Sequence, residues 1–424
     1  MNREVDLYKL RINIDRLLER LDDLAKIGAI ENTDGCSRLA LTDEDKEGRD
    51  LVVTWMRDLG MDITIDGIGN VVAVWTGPHT DPTLKPVMTG SHIDTVKTGG
   101  RYDGNLGVLA GLEVVETLAE AGISTRHPLA VGFFTDEEGS RFPPDMLGSL
   151  VYVGGMSLED GLDTVGIDGA VLGDELERIG YRGGAPCPAV APHAFVELHI
   201  EQGPVLEAEG VTIGAVESVQ GISWTEITIK GQSNHAGTTP MHLRRDPGYA
   251  AARIATFVRE LALELGGRQV ATVGQIKLHP NLVNVVAANA TITVDLRNTE
   301  EAILQQAEQR LVEFCDRLAE DEKVTITTRS LARFEPVVFD PEVVDRVAHT
   351  AAELGYSVKR MPSGAGHDAQ MLARVCPTAM IFTPSWEGLS HNPFEFTAPE
   401  DLEAGTNVLL HVLAALANEN GYNK

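Results

Sequence analysis

The sequence predicts an α/β protein of two domains: a larger one on a mixed central sheet, and a smaller ferredoxin-like α+β domain inserted into it. Three observations carry this expectation. The chain has 424 residues, 43% of them apolar, which is a globular composition and too long for one ordinary hydrophobic core. Up to about residue 217, short apolar strand-like segments alternate with helical ones, as in a sheet covered by helices. Beyond that point six segments read strand, helix, strand, strand, helix, strand, an order that can close on its own core. The expected boundaries are 1–217 with 332–424 for the larger domain and 218–331 for the insert.

Taken in order, "MNREVDLYKLRINIDRLLERLDDLAKIGAI" sets leucine and isoleucine at helical spacing among charges, an amphipathic helix without the apolar core of a signal peptide. "TDEDKEGRDLVVTWMRDLG" reads as a second helix and "DITIDGIGNVVAVWTG" as a hairpin. "KPVMTGSHIDTV" is a strand ending at His92, "NLGVLAGLEVVETLAEAG" an apolar helix, and "HPLAVGFFTDEEGSRF" a strand running out into acids. "AFVELHIEQG" alternates Val196, Leu198 and Ile200 on a strand that carries His199. After the insert come the helix "DPEVVDRVAHTAAELG", the glycine-bearing segment "KRMPSGAGHDAQMLARV", the strand "PTAMIFTP" and a final helix from Pro399.

Charge narrows the function. With 63 acidic against 35 basic residues, a formal charge of -28 argues against nucleic acid or an anionic membrane as partner. The four cysteines, Cys36, Cys187, Cys315 and Cys376, have neither disulfide-framework nor zinc-knuckle spacing, so a reducing, cytoplasmic setting is expected. No apolar run approaches the length that spans a bilayer.

The reactive side chains gather at strand ends, where open α/β sheets place their ligands. His92, Asp103, the pair Glu137 and Glu138, His199 and His391 each sit where a predicted strand or turn finishes. His92 and Asp94 are two apart on a strand and face one side, so a carboxylate is placed to orient the imidazole. Gly104 and Gly107 flank the turn after Asp103 and let a carboxylate bend into a crowded site. Adjacent acids at Glu137 and Glu138 allow a division of labour, one binding metal and its neighbour handling a proton, as metal-assisted hydrolysis requires.

"GSHIDT", "YDGNLG", "DEEGSRF", "ELHIEQG", "SNHAGTTPM", "DLR" and "GLSHNP", in this order over nearly the whole chain, resemble the dinuclear metal amidohydrolases of the hydantoinase/carbamoylase group. That group holds N-carbamoyl-L-amino-acid hydrolases, allantoate amidohydrolases and β-ureidopropionases, within a wider aminoacylase-like metallopeptidase clan. "HIEQG" discriminates best, because the peptidase branches usually carry an acid where His199 stands.

The resemblance implies a discontinuous metallopeptidase-like catalytic domain and an inserted domain acting as lid and homodimer interface. It implies two divalent metal ions per subunit: one held by His92 and His199, the other by Glu138 and His391, with Asp103 bridging. Mixed imidazole and carboxylate ligands suit zinc, manganese or cobalt, and affinity order favours zinc. Glu137 is implied as general base and acid, His235 as oxyanion donor, and Gln202 as a substrate contact near the metals. Asn284 and Arg297 are implied to bind the substrate carboxylate, which Arg's planar fork matches; Gly364, Gly366 and His367 are implied to line that pocket. Ala287 and Ala288 stand where many relatives have Pro-Gly, a departure at the pocket's edge. The implied reaction is cleavage of the ureido C–N bond of an N-carbamoyl-L-amino acid. Allantoate and β-ureidopropionate are the sibling substrates; an N-acyl or dipeptide hydrolase and a silent binding protein are the remoter readings.

Overall fold

The structure, a computed structural model, describes residues 9–419. Helix α1 (Ile14–Ala25) starts where the Asn13 side chain accepts from the Arg16 N–H, and it buries Leu17, Leu21 and Leu24 at the spacing of one helix face. The expected helical stretch over 1–8 lies outside the described residues. Helix α2 (Asp43–Asp58) is capped by Thr42, with three acids in its first turn where the helix dipole favours them. Strands β1 (Asp62–Ile65) and β2 (Val71–Trp75) form the antiparallel hairpin expected of their glycine-linked alternation.

Next come β3 (Val87–His92), α3 (Asn105–Glu120) and β4 (Leu129–Phe134), a strand, helix and parallel strand. Apolar almost all round, α3 is buried from Asn105 to Val115 against β3, α1 and the chain's last helix. Short helices α4 (Leu147–Tyr152), α5 (Leu158–Leu162) and α6 (Leu172–Ile179) lead to β5 (Ala194–Ile200), α7 (Val205–Glu209) and β6 (Ile213–Val219).

Ser218–Val338 make a second compact unit. Its strands are β7 (Gly221–Lys230), β8 (Asn234–His235), β9 (Val270–His279), β10 (Val285–Val286), β11 (Asn289–Asn298), β12 (Thr325–Phe334) and β13 (Val337–Val338), with helices α8 (Pro247–Leu265) and α9 (Glu301–Glu322). The antiparallel sheet runs β12-β7-β11-β9, the ferredoxin-like order. Ile254, Val258 and Leu261 of α8 and Leu304 and Leu311 of α9 pack with Ile227, Ile229, Ile292 and Val294 of the sheet. This unit reaches Val338 rather than residue 331, because β12 continues its pairing with β7 as far as Phe334.

The first unit resumes at Phe339 with α10 (Pro341–Glu353), β14 (Val358–Ser363), α11 (Asp368–Leu372), β15 (Thr378–Thr383) and α12 (Pro399–Leu416). Its sheet runs β1-β2-β4-β3-β5-β15-β6, with β14 on β6. Strands β4, β3, β5 and β15 are mutually parallel and β1, β2 and β6 pair antiparallel, so the sheet is mixed. Two strands were not legible in the sequence: β6 is a short apolar run without helix or strand period, and β14 is a half-exposed strand carrying Lys359 and Arg360.

Candidate active site

Four parallel strands end on one edge of the large sheet, and their register sets the depth at which each succeeding loop begins. His92 pairs with Phe134, and His199 with Phe382, so the loops after β3, β4, β5 and β15 leave the sheet side by side. His92 and His199 lie on the strands themselves; Asp103, Glu137, Glu138 and His391 lie in those loops.

Both strand histidines are held through Nδ1. His92 Nδ1 is 2.9 Å from the Asp94 carbonyl oxygen, and His199 Nδ1 is 2.8 Å from that of Ile200. Each Nδ1–H therefore donates to the backbone, which turns Nε2 toward the edge, where that of His199 also lies 3.1 Å from the Gly104 N. Both Nε2 atoms face one carboxylate oxygen, Asp103 Oδ1, at 3.5 Å from His92 and 3.1 Å from His199. The other oxygen of Asp103, Oδ2, faces the second group. His391 Nε2 is 3.6 Å from it and 3.1 Å from Glu138 Oε2. His92, Asp103 and His199 have ligand atoms within 4.8 Å of one another, and so do Asp103, Glu138 and His391. Asp103 belongs to both clusters. It is also steadied by Gln202 Nε2–H and the Ser390 hydroxyl, which donate to Oδ2 at 2.8 and 3.0 Å.

Glu137 stands apart from this sharing. It is 7% exposed, with Oε2 at 3.4 Å from His92 Nε2. Burial pushes its carboxyl well above the usual carboxylate range; His92 pulls it back and Asp368 pushes it further. For Asp103 the balance is opposite. Burial raises it, but the hydrogen bonds and charges of His199 and His92 win and hold it well below the ordinary range.

The fit to a cation follows from charge. Asp94, Asp103, Asp136, Glu137, Glu197, Asp368 and Glu395 are all buried, and among the described residues none of them has a lysine or arginine ion-pair partner. So many buried acids without a basic partner either take up protons, as the upward push of burial on Asp136, Glu137 and Asp368 favours, or gather around a bound cation. Imidazole nitrogens and carboxylates converging on two centres are the donor set that divalent transition metals take.

The orientation of His92 differs from expectation. Its partner is the backbone carbonyl of Asp94, while the Asp94 carboxylate lies 4.0 Å from Nδ1. That carboxylate instead accepts from the N–H groups of Glu137 and Glu138, each at 3.4 Å, and so holds the acidic pair against the His92 strand. The Gly104 expectation takes a sharper form: a Cβ there would lie 2.4 Å from the His92 ring, and Gly104 has φ +67°. Asp136, Gln202 and His391 are also left-handed, with φ of 56°, 58° and 53°, a clustering of uncommon backbone at one edge.

His367 is 1% exposed, turned inward with Nε2 2.9 Å from Ser363 Oγ and its ring 4.6 Å from that of His199. It buttresses His199, while Gly364 and Gly366 remain on the accessible side of the loop. Sequence reasoning missed Arg38, which is fully buried and donates to the carbonyls of Leu24, Ile27 and Ile93 and to Asn105 Oδ1, bracing the chain after both His92 and Asp103. A lone arginine in "CSRLA" carried no signal of burial.

His235, Asn284 and Arg297 all belong to the second unit. The Gly237 N–H donates to His235 Nδ1, so the neutral ring carries its proton on Nε2, a donor. The Ala236 N–H donates to the Asn284 carbonyl, which puts His235 and Asn284 together at the two-stranded β8–β10 pair, three residues before β11 starts at Asn289. Arg297 is elsewhere: it pairs in register with Ile222, whereas Asn289 at the other end of β11 pairs with Lys230. Its guanidinium bonds Asp295 at 2.9 Å and lies over the Trp224 ring.

Comparison with known proteins places this geometry. The description "Peptidase family M20/M25/M40" matches residues 88–415, a span that takes in both clusters. The chain belongs to this peptidase family. An N-carbamoyl-L-amino-acid amidohydrolase of Rhizobium meliloti is 42% identical over 96% of this chain and 97% of its own length. An allantoate amidohydrolase of Bacillus subtilis is 36% identical over 95% and 97%. Among solved structures, an amidase of the hydantoinase/carbamoylase family from Burkholderia multivorans superposes with a TM-score of 0.93 at 45% identity, covering 97% of this chain and 99% of that one. This M20 family chain is thus a hydrolase, and membership together with the converging ligand clusters supports divalent metal binding. Among the described residues no helix is long and apolar enough to cross a membrane.

Proposed function

We propose that this M20 family hydrolase cleaves the ureido C–N bond of N-carbamoyl-L-amino acids, yielding the amino acid, ammonia and carbon dioxide, with two divalent cations per subunit, zinc favoured over manganese or cobalt. One observation carries the reading above others: Asp103 presents one oxygen to each of two histidine-bearing clusters, while Glu137 stays beside them, buried and outside both. Bound cations supply an acidified water and a polarised ureido carbonyl. Glu137 takes the proton from the attacking water and returns it to the departing nitrogen. His235 donates through Nε2–H to the developing oxyanion, and Arg297, with Asn284, grips the carboxylate. Gln202, Gly364 and Gly366 bound the substrate on the cluster side.

Ammonia release by metal-reconstituted protein, measured on N-carbamoyl-L-amino acids, N-carbamoyl-β-alanine and allantoate, tests the assignment. Chelator-sensitive release from the first class is expected. The Bacillus subtilis relative supports allantoate as the second reading, and release from allantoate alone would replace the first. Cleavage of N-acyl substrates without ammonia would discard both.

The second unit also supports a homodimer. His235 and Asn284 lie beside the Asn289 end of β11 and Arg297 near its other end; Asn289 and Arg297 are eight strand rises apart, about 26 Å. One small substrate does not span that distance, so a partner copy contributes one of the two groups. Edge strand β9, with Ile276 and Leu278 exposed, offers an apolar surface for such a partner. Mixing inactive Glu137→Gln and His235→Ala proteins under subunit exchange is expected to restore roughly a quarter of wild-type activity, since half the random dimers hold one intact site of two. No restoration would place His235 in the same subunit's site.

A further inference from the structure

The loop that carries His391 follows β15, far in sequence from Asp103, and His391 is half-exposed with a left-handed backbone. A half-exposed, strained ligand needs something to hold it at coordination distance. Ser390 contributes through its bond to Asp103 Oδ2. The stronger attachment lies four residues beyond His391. Glu395 is 3% exposed, and its Oε1 accepts from both the Tyr102 N–H at 3.0 Å and the Asp103 N–H at 3.1 Å. Its side chain passes so close to Gly100 that a Cβ there would lie 2.1 Å from Oε1. Pro393 makes the matching contact beside it: a Cβ on Gly35 would meet the Pro393 Cα at 2.6 Å. The glycine at 100, which the chemistry of the turn does not use, is thus explained by the acid that lies on it.

We infer that Glu395 is a positioning residue that locks the His391 loop to the backbone of Asp103, and thereby sets the affinity of the Glu138–His391 cluster for its cation more than that of the His92–His199 cluster. The asymmetry follows from the attachments. His92 and His199 lie on central strands with Nδ1 tied to the backbone and do not depend on Glu395. His391 depends on where its loop docks. This inference rests on the two-cation reading of the site.

The test compares Glu395→Gln, which keeps an accepting Oε1, with Glu395→Met, which fills the same space and accepts nothing. Metal content is measured by elemental analysis after equilibration at fixed free zinc, and the cobalt-substituted absorption spectrum is recorded for each. Wild type and Glu395→Gln are expected to hold two ions per chain. Glu395→Met is expected to retain one ion at wild-type affinity and to bind the other about 10- to 100-fold more weakly, the usual cost of losing a group that orients a ligand, with only one cobalt site's bands lost. Equal weakening of both ions, or two ions held as tightly as in wild type, overturns the inference. Should Glu395→Met not fold by circular dichroism, Glu395→Ala is titrated in its place: selective weakening of one ion upholds the clamp, and two ions held as in wild type, or both weakened equally, refute it. A wild-type protein that binds a single ion would instead refute the two-cation reading, and the two failures are separable in the same titration.

Discussion

Glu137→Gln is expected to keep its fold and its full metal content and to lose about 10²- to 10⁴-fold in kcat, the range for removing a positioned general acid–base. The substitution changes one oxygen to an amide nitrogen, so packing in this buried place is conserved. Glu137 lies outside both shared-ligand groups, and its backbone, not its side chain, is what the Asp94 carboxylate holds. What disappears is the capacity to take a proton from water and give it to the leaving nitrogen, which no neighbour supplies. Asp368 is close enough to push the Glu137 carboxyl upward but is itself fully buried. Single-turnover rates with metal analysis on the same sample check this. A variant with unchanged rate removes Glu137 from the mechanism; one that has lost an ion makes it a ligand instead.

Asp103→Ala carries the second large effect, and it reads metal before activity. Because each carboxylate oxygen faces a different cluster, one deletion removes a candidate ligand from both proposed centres at once. Affinity at each is expected to fall by more than about 100-fold, the upper cost of losing even a group outside the ligand set, and activity to fall with it. Gln202 Nε2–H and the Ser390 hydroxyl would lose their acceptor in the same step, loosening two loops. Elemental analysis and a competitive chelator titration measure both sites. If one ion stays bound as in wild type, Asp103 serves a single cluster and the sharing is wrong.

These expectations differ in how much of them is visible in the sequence. The helices from Thr42 and Asp340 were legible because their apolar period reports one buried face, whereas α1 begins only after Asn13, inside the longer stretch expected to be helical. The hairpin of β1 and β2, the buried strands β3, β4 and β5, and the ferredoxin-like order of the insert were legible because alternation and period report burial along one segment. Strand β14 was not, since a half-exposed strand with adjacent basic residues carries no such pattern.

At the candidate site the sequence by itself determined which residue types are available and, through strand ends and glycine turns, that His92, Asp103, Glu137, Glu138, His199 and His391 were the ones to watch. Only the tertiary structure decided how they divide. The register of His92 with Phe134 and of His199 with Phe382 brings the ends of β3 and β5 and residues from the loops after β3, β4 and β15 to one edge, where one oxygen of Asp103 faces each group. It also decided that His92 is oriented by a peptide carbonyl rather than by the Asp94 carboxylate, and that His235 lies on the small β8–β10 pair while Arg297 lies on β11 of the four-stranded sheet. The physical reason is common to all of these. Periodicity and spacing encode what a segment does with its own neighbours, whereas which atom meets which across the fold depends on pairing register and loop packing between residues hundreds of positions apart, and those leave no mark within any one segment.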